Sequence, residues 1–313
     1  MKDRMNRREF IKHSAVIGTS SVVGGSILSN LFGNTANSLF GNEKIDIVAV
    51  QGDDYFANSI KAVELLGGMK KFVTKQSKVG LIINSPWRNV GTYTNPTVAL
   101  AVLKMCLDAE VKEIISVEGA SQAYWDRSDL AKQFSEQIQS LKSSGDYTKV
   151  DIPKGKKLKE AEVKKALLEC DVLIDIPISK DHAGTRFTGN MKNLMGACSR
   201  TTNRFFHFGS GAKQAYDDVE HLSQCIADLS LVRKPDLCIV DSTECVTTNG
   251  PAGPGEMAKP KKIVAGTDPV AVDAYTASLL GRQPQNILMI KMAHEHGLGE
   301  MDFTKLQVEE VAQ

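Results

Sequence analysis

The chain has 313 residues, of which 42% are hydrophobic and 24% charged, with a formal net charge of +1. That is long enough to bury a sizeable core, and the composition is that of an ordinary globular protein rather than a disordered or fibrous one. A near-neutral balance leaves no basic field of the kind that binds nucleic acid, so that class of partner is excluded.

The charge is unevenly placed. Residues 1–36 carry five cations (Lys2, Arg4, Arg7, Arg8, Lys12) against Asp3 and Glu9, so the rest of the chain is net −2. Within this segment Asn6-Arg7-Arg8-Glu9-Phe10-Ile11-Lys12 resembles the twin-arginine export motif. The apolar stretch that follows, 15–32, is diluted by Gly18, Thr19, Ser20, Ser21, Gly24, Gly25 and Ser26. A membrane-spanning helix is more uniformly apolar, so the stretch reads as a signal segment ending near Ala36. The expectation is therefore a twin-arginine signal peptide over 1–36, a polar linker over 37–44 and one α/β domain over 45–313. The chain is expected to cross the membrane folded, with the twin-arginine translocase as its partner in export. It then lies in the periplasm or another extracytoplasmic space, with no stable membrane span after cleavage.

Past the linker the elements alternate. A strand at 45–50 precedes a helical pattern at 57–73, a continuous apolar run at 79–84 and a helix at 97–109. Asn95-Pro96 supplies that helix with an N-cap and a first-turn proline. Strands follow at 113–117, 171–177, 237–241 and 263–265, an amphipathic helix is predicted at 126–142, and helices close the chain at 268–280 and 285–296. The basic segment 154–165, interleaved with Glu160 and Glu162, reads as a solvated helix face. Strands apolar on both faces and separated by helices predict a mostly parallel central sheet flanked by helices on both faces.

Six cysteines (106, 170, 198, 225, 238, 245) include no Cys-x-x-Cys pair, so no ferredoxin-type cluster is encoded. Most are expected to be free and buried. Cys198 and Cys245 fall in expected loops and are the two candidates for reactivity.

Three stretches carry candidate chemistry. The densest, 178–196, follows a strand and holds Lys180, His182, Thr185, Arg186, Lys192 and Asn193, punctuated by Gly184, Gly189 and Gly196. Ligands of open α/β sheets sit beyond the carboxyl ends of strands. Lys180 and His182 alternate by two and share a face in an extended segment; with Lys192 and Asn193 they form an anion-binding set. The second stretch, 241–255, is a Gly- and Pro-shaped loop with Asp241 and Glu244 as metal ligands or a general base. In the third, Asp268-Pro269 opens a helix with Asp268 as its cap, and Asp273 follows five residues later. No dinucleotide, P-loop, serine-hydrolase or zinc-protease motif occurs at a strand–helix junction.

These stretches resemble the family known as domain of unknown function 362. Its members carry a strand ending in Pro, a Lys-x-His, a Thr, a Lys-Asn-x-x-Gly, a downstream His, a Gly/Pro loop and an Asp-Pro-x-Ala-x-Asp helix start. Matching positions here are Pro177, Lys180, His182, Thr185, Lys192-Asn193, Gly196, His207, Asp241, Gly250-Pro251, Gly255, Asp268-Pro269, Ala271 and Asp273, with Asn84 at the end of an early strand. The resemblance spans roughly 45–300, and the chain departs from it at 242–248, Ser-Thr-Glu-Cys-Val-Thr-Thr. It implies a redox-associated setting with a redox partner protein. Many relatives carry fused four-iron ferredoxin motifs that this chain lacks. The Lys–Gly–His order is also distantly similar to the nickel-pincer racemases, by analogy alone. With this resemblance the candidate catalytic residues are Lys180, His182, Lys192 and His207. The candidate cofactor-binding residues are Asn84, Thr185, Asn193, Gly250, Asp268 and Asp273. His182, His207 and Asp241 are candidate ligands for a metal ion or metal-containing cofactor. The functional expectation is an exported redox-associated enzyme or accessory protein. The alternatives are a non-catalytic binder of an acidic small molecule and a scaffold for a redox partner.

Overall fold

The computed structural model describes residues 44–143, 145–209 and 218–313. The expected leader over 1–36, and all of the linker but Lys44, lie outside the described residues.

The first half builds β1 (Ile47–Gln51), α1 (Tyr55–Leu65), β2 (Lys78–Ile83), α2 (Pro96–Asp108) and β3 (Glu113–Ser116). Then come α3 (Gln122–Trp125), α4 (Ser135–Ser140), β4 (Lys142–Ser143) and the hairpin β5–β6 (Tyr147–Asp151, Glu160–Lys164). After α5 (Lys165–Glu169) and β7 (Val172–Ile176) follow three helices, α6 (Asn190–Asn193), α7 (Arg200–Phe208) and α8 (Val219–Leu229). The last part holds β8 (Leu237–Ser242), the short β9 (Cys245–Val246) and β10 (Met257–Ala258), and β11 (Lys262–Gly266). It ends with α9 (Pro269–Leu279), α10 (Leu288–Glu295) and β12 (Val308–Ala312).

The central sheet has the order β12-β1-β11-β8-β7-β2-β3-β4. All neighbours are parallel except where β11 meets β1 and β8, which it pairs antiparallel. The sheet is thus mostly parallel, an α/β fold, with one reversed strand. β2 and β7 are apolar along their length because helices cover both faces. Alternation along each strand sorts the side chains. Leu81, Ile83, Ile174 and Ile176 pack under α1 and α2, while Ile82 and Leu173 pack under α6, α8, α9 and α10. Residues 44–313 fall in one compact unit.

Chain direction reverses at the centre. From β2 the chain steps outward to β3, and from β7 it steps the other way to β8. The crevice beyond the carboxyl ends of β2 and β7 is therefore a topological switch point, where a loop leaving each strand diverges and leaves room for a ligand.

Two segments differ from the sequence reading. The helix expected over 126–142 is broken into a 3₁₀ turn (Asp129–Phe134) and the short α4. The basic segment 154–165, expected as a helix face, instead forms the hairpin tip and β6. In β6 Ala161 and Val163 are buried between exposed Glu160 and Glu162, a two-residue period that overrides the charge pattern. All six cysteines are free and buried. Cys198 and Cys245 are not reactive-loop thiols: burial pushes Cys198 up to about 12 and Cys245 higher still. Among the described residues no helix is long and apolar enough to cross a membrane.

Candidate functional site

Two loops leave the sheet at the switch point. After β2, Asn84 is held by its own backbone: its N–H donates to Ile176 O at 3.3 Å and its carbonyl accepts from Thr94 N at 2.8 Å. The loop between carries Trp87 and returns through the fully buried Thr92. After β7, Lys180 and Thr188 pair antiparallel and close a tight loop over residues 181–187. This loop presents Lys180 and His182 to the same side, as their spacing anticipates.

The two loops and α6 enclose a cavity of about 400 Å³, lined by Asn84, Trp87, Lys180, His182, Ala183, Thr188, Lys192, His207 and Pro251. All four candidate catalytic residues therefore meet in one place. Among the described lining residues none is a carboxylate. Thr188 is 3% exposed, and its Oγ1 has no hydrogen-bond partner among the described residues.

Lys180 sits at the floor, 1% exposed. Its Nζ donates to Asn84 Oδ1 at 3.2 Å and to Thr92 O, and lies 5.7 Å from the centre of the Trp87 ring. Both acceptors are neutral. Burial, then the charge on Lys192, hold this amine well below the ordinary lysine value of 10.5, against the raising field of Glu118. A chain of amides continues beneath it. Asn84 Nδ2 donates to Asn193 Oδ1 at 3.0 Å, and Asn193 Nδ2 donates to Asp175 Oδ1 at 2.7 Å. Asp175, fully buried on the face of β7 opposite Ile174, is pushed well above the usual carboxylate range by burial.

His182 is 5% exposed, and its Nδ1 accepts from Gly184 N at 3.0 Å and Thr185 N at 3.3 Å. Two backbone donors on one ring nitrogen fix the tautomer: the proton of the neutral ring sits on Nε2. His182 is therefore a hydrogen-bond donor through that nitrogen. It cannot offer a lone pair there without a proton on Nδ1, where two N–H groups already point. Asp241 does not join the two imidazoles either. Its Oδ1 accepts from Thr243 N and Oγ1 at 2.9 and 2.6 Å, and its Oδ2 accepts from Asn95 N at 2.7 Å. Its carboxylate is thus used in tying β8 to the start of α2. Among the described residues no group of three His, Cys, Asp or Glu side chains is placed to hold a metal ion.

The other expected positions frame the site without lining the cavity. Thr185 turns its hydroxyl to Phe187 O at 2.7 Å while its amide fixes the His182 tautomer. Asp273, reaching from α9, accepts from Asn190 N, Asn190 Nδ2 and Met191 N at 2.6, 2.8 and 3.1 Å, and so sets the turn that carries Lys192 and Asn193. Burial raises its carboxyl to about 7. Gly189 is needed there because a Cβ would overlap the Asp273 carboxylate. Asp268 caps α9 through Val270 N and Ala271 N and also accepts from Glu300 N. Gly250 donates to Asp181 Oδ2 at 2.9 Å, and a Cβ on it would overlap the Asp181 carbonyl, so the loop packs close enough for Pro251 to reach the cavity. Asp181, between Lys180 and His182, is clamped from its other oxygen by Arg282 at 2.6 Å.

Trp87, Thr188, Asp175 and the Asp181–Arg282 pair were not singled out from sequence. Asp175 had a signal: it is the one acid inside the apolar run 172–176, and a buried acid in such a run needs an internal partner.

The His182 geometry has a consequence for pH. The ring is held down to about 2 by burial and then by the field of Lys192, against 6.5 for a free histidine. Its folded value lies below its unfolded one. Stability from the neutral ring is therefore fully present above pH 6.5 and is lost as pH falls toward 2. His182→Gln keeps an acceptor for the two amides and cannot titrate. Denaturant unfolding at pH 7.5 and pH 5 should show wild type losing about 2 kcal/mol more than the variant. Equal losses in the two proteins would show that His182 charges freely in the folded state.

Comparison with known proteins finds several to which the chain is similar. The lactate racemase apoprotein of Thermoanaerobacterium thermosaccharolyticum aligns with a TM-score of 0.43 and 12% identity, over 71% of this chain and 56% of that one. A protein of Thermotoga maritima aligns with a TM-score of 0.40 and 13% identity, over 78% and 60%. This chain thus spans less than two thirds of either solved structure. A thylakoid-associated protein of Synechocystis sp. is 25% identical over 267 residues, covering 80% of this chain and 78% of its own. The model of the family described as Domain of unknown function (DUF362) matches residues 78–278, well over half of the chain. That span contains both loops, α6 and every residue that lines the cavity, and the chain belongs to the DUF362 family.

Proposed function

We propose that the chain binds a small organic anion, as substrate or cofactor, in the cavity at the switch point. The observation that carries this reading is the lining: Lys180, His182 Nε2–H, Lys192, His207, Asn84 and Thr188 around one opening, with no carboxylate among the described lining residues. Donors and cations converging in a partly dry space favour a negatively charged guest, and a hydrogen bond to a charged group is about twice as strong as a neutral one. Thr188 Oγ1, buried and unpartnered, supplies a hydroxyl that a ligand oxygen would satisfy. A volume of about 400 Å³ suits a compact metabolite.

The group that Lys192 holds is the anionic end, and Lys180 lies deepest, toward the rest of the molecule. Nothing in this arrangement requires a metal ion ligated by His182. Thermal unfolding with millimolar pyruvate, acetate or inorganic phosphate tests the reading. At least one anion should raise the midpoint saturably, and Lys192→Gln should weaken that ligand about tenfold or more. No shift with any of them, or an equal shift in Lys192→Gln, would contradict it.

Export is the second part of the proposal. Arg7-Arg8 and the weakly apolar segment after them support passage through the twin-arginine translocase, and the family resemblance supports a redox partner on the far side. A reporter fused behind residues 1–36 should leave the cytoplasm and stay inside when both arginines become lysine. Export of the double-lysine fusion would refute the assignment.

A further inference from the structure

We infer that Lys180 is a nucleophile that forms an imine with the carbonyl carbon of a short 2-oxo acid. This deepens the anion-binding reading and rests on it. The geometry that carries it is the surroundings of one nitrogen. Nζ of Lys180 has two hydrogen-bond acceptors in the protein, Asn84 Oδ1 and Thr92 O. A neutral amine has two N–H bonds and one lone pair, so these two acceptors use both protons and leave the lone pair toward the cavity that Lys180 lines. A charged ammonium would carry a third N–H that finds no acceptor among the described residues. It would also bury a cation on neutral partners in a space it shares with Lys192. The Trp87 ring, its centre 5.7 Å from Nζ, lines the same space. Schiff-base lysines are made in this way, by desolvation next to another cation.

The rest of the cavity matches the other end of the same molecule. Lys192, on the turn set by Asp273, offers its ammonium to a carboxylate. His182 offers Nε2–H, the only ring proton its tautomer leaves, to the carbonyl oxygen. In the reaction the Lys180 lone pair forms the C–N bond and the carbonyl π pair moves to oxygen. The oxygen then leaves as water with the two protons that the amine gives up, and a C=N bond remains. No electrons are gained or lost overall. Asn84 is the positioning residue. It accepts from Nζ and is itself held by Asn193 and Asp175, so the amine keeps one orientation.

The test uses the full chain incubated with pyruvate and then treated with sodium borohydride, which fixes an imine as a stable secondary amine. Peptide mass mapping should find one reduced adduct, on Lys180, that saturates with pyruvate concentration. It should be lost in Lys180→Arg and require more pyruvate in Lys192→Gln. If Lys180→Arg does not fold, localisation in the wild-type chain decides the matter alone. Absence of an adduct on Lys180, or labelling spread over exposed lysines in proportion to their exposure, overturns the inference. If pyruvate raises the unfolding midpoint without any trapped adduct, imine formation fails while anion binding stands. If it does neither and no other anion binds, both fail.

Discussion

The architecture of the site depends on one constraint: an amino group buried beyond the end of β7 with only neutral oxygen atoms to bond. Lys180 is 1% exposed and meets Asn84 Oδ1 and Thr92 O. Removing such a group from water is costly unless it loses its charge or gains a counter-ion. The protein meets this with a line of amides, Asn84 to Asn193 to Asp175, that runs from the cavity floor into the sheet. Asn193 Nδ2 also reaches Ile82 O at 3.4 Å, which ties the line to the sheet backbone. The floor of the cavity is thereby fixed before any ligand arrives, the condition for tight and selective binding.

The same loops that hold Lys180 also set the character of the histidine two residues on. Backbone amides of Gly184 and Thr185 take one ring nitrogen, and the other is left as a donor. The carboxylates around the site are used in structural work. Asp241 ties the start of α2 to β8, Asp268 caps α9, and Asp273 sets the turn at Asn190. The acids support the frame, and the bases line the space it encloses. That separation of charge is what supports the proposal of an anionic guest in a chain that is close to neutral overall.

Much of this was legible in the sequence. The strands at β1, β2, β3, β7, β8 and β11 were readable because each is a short run that is apolar on both faces, and Asp268-Pro269 signalled the start of α9. The cluster from Lys180 to Asn193 stood out by density. What could not be read was which acids face the cavity. An Asp just past a strand looks alike whether it binds a ligand or caps the next helix, since both tasks use the same oxygens. The hairpin at β5–β6 was hidden for a related reason. Within its two strands the buried residues are only Ala161 and Val163, too few to outweigh a run of lysines. Trp87 and Pro251 reach the cavity only through long-range loop packing, as where Asn89 Nδ2 donates to Ala252 O at 2.8 Å across 163 residues. No local pattern encodes such a contact.

The central claim is that Lys180 is an uncharged amine in the folded protein. Titration of the chain carrying ¹⁵N-labelled lysine, followed by NMR with Lys180 assigned by its Arg variant, measures this directly. One lysine should titrate well below the ordinary value of 10.5, apart from the exposed lysines, and its signal should be absent in Lys180→Arg. A Lys180 signal that titrates together with the exposed lysines would contradict the account.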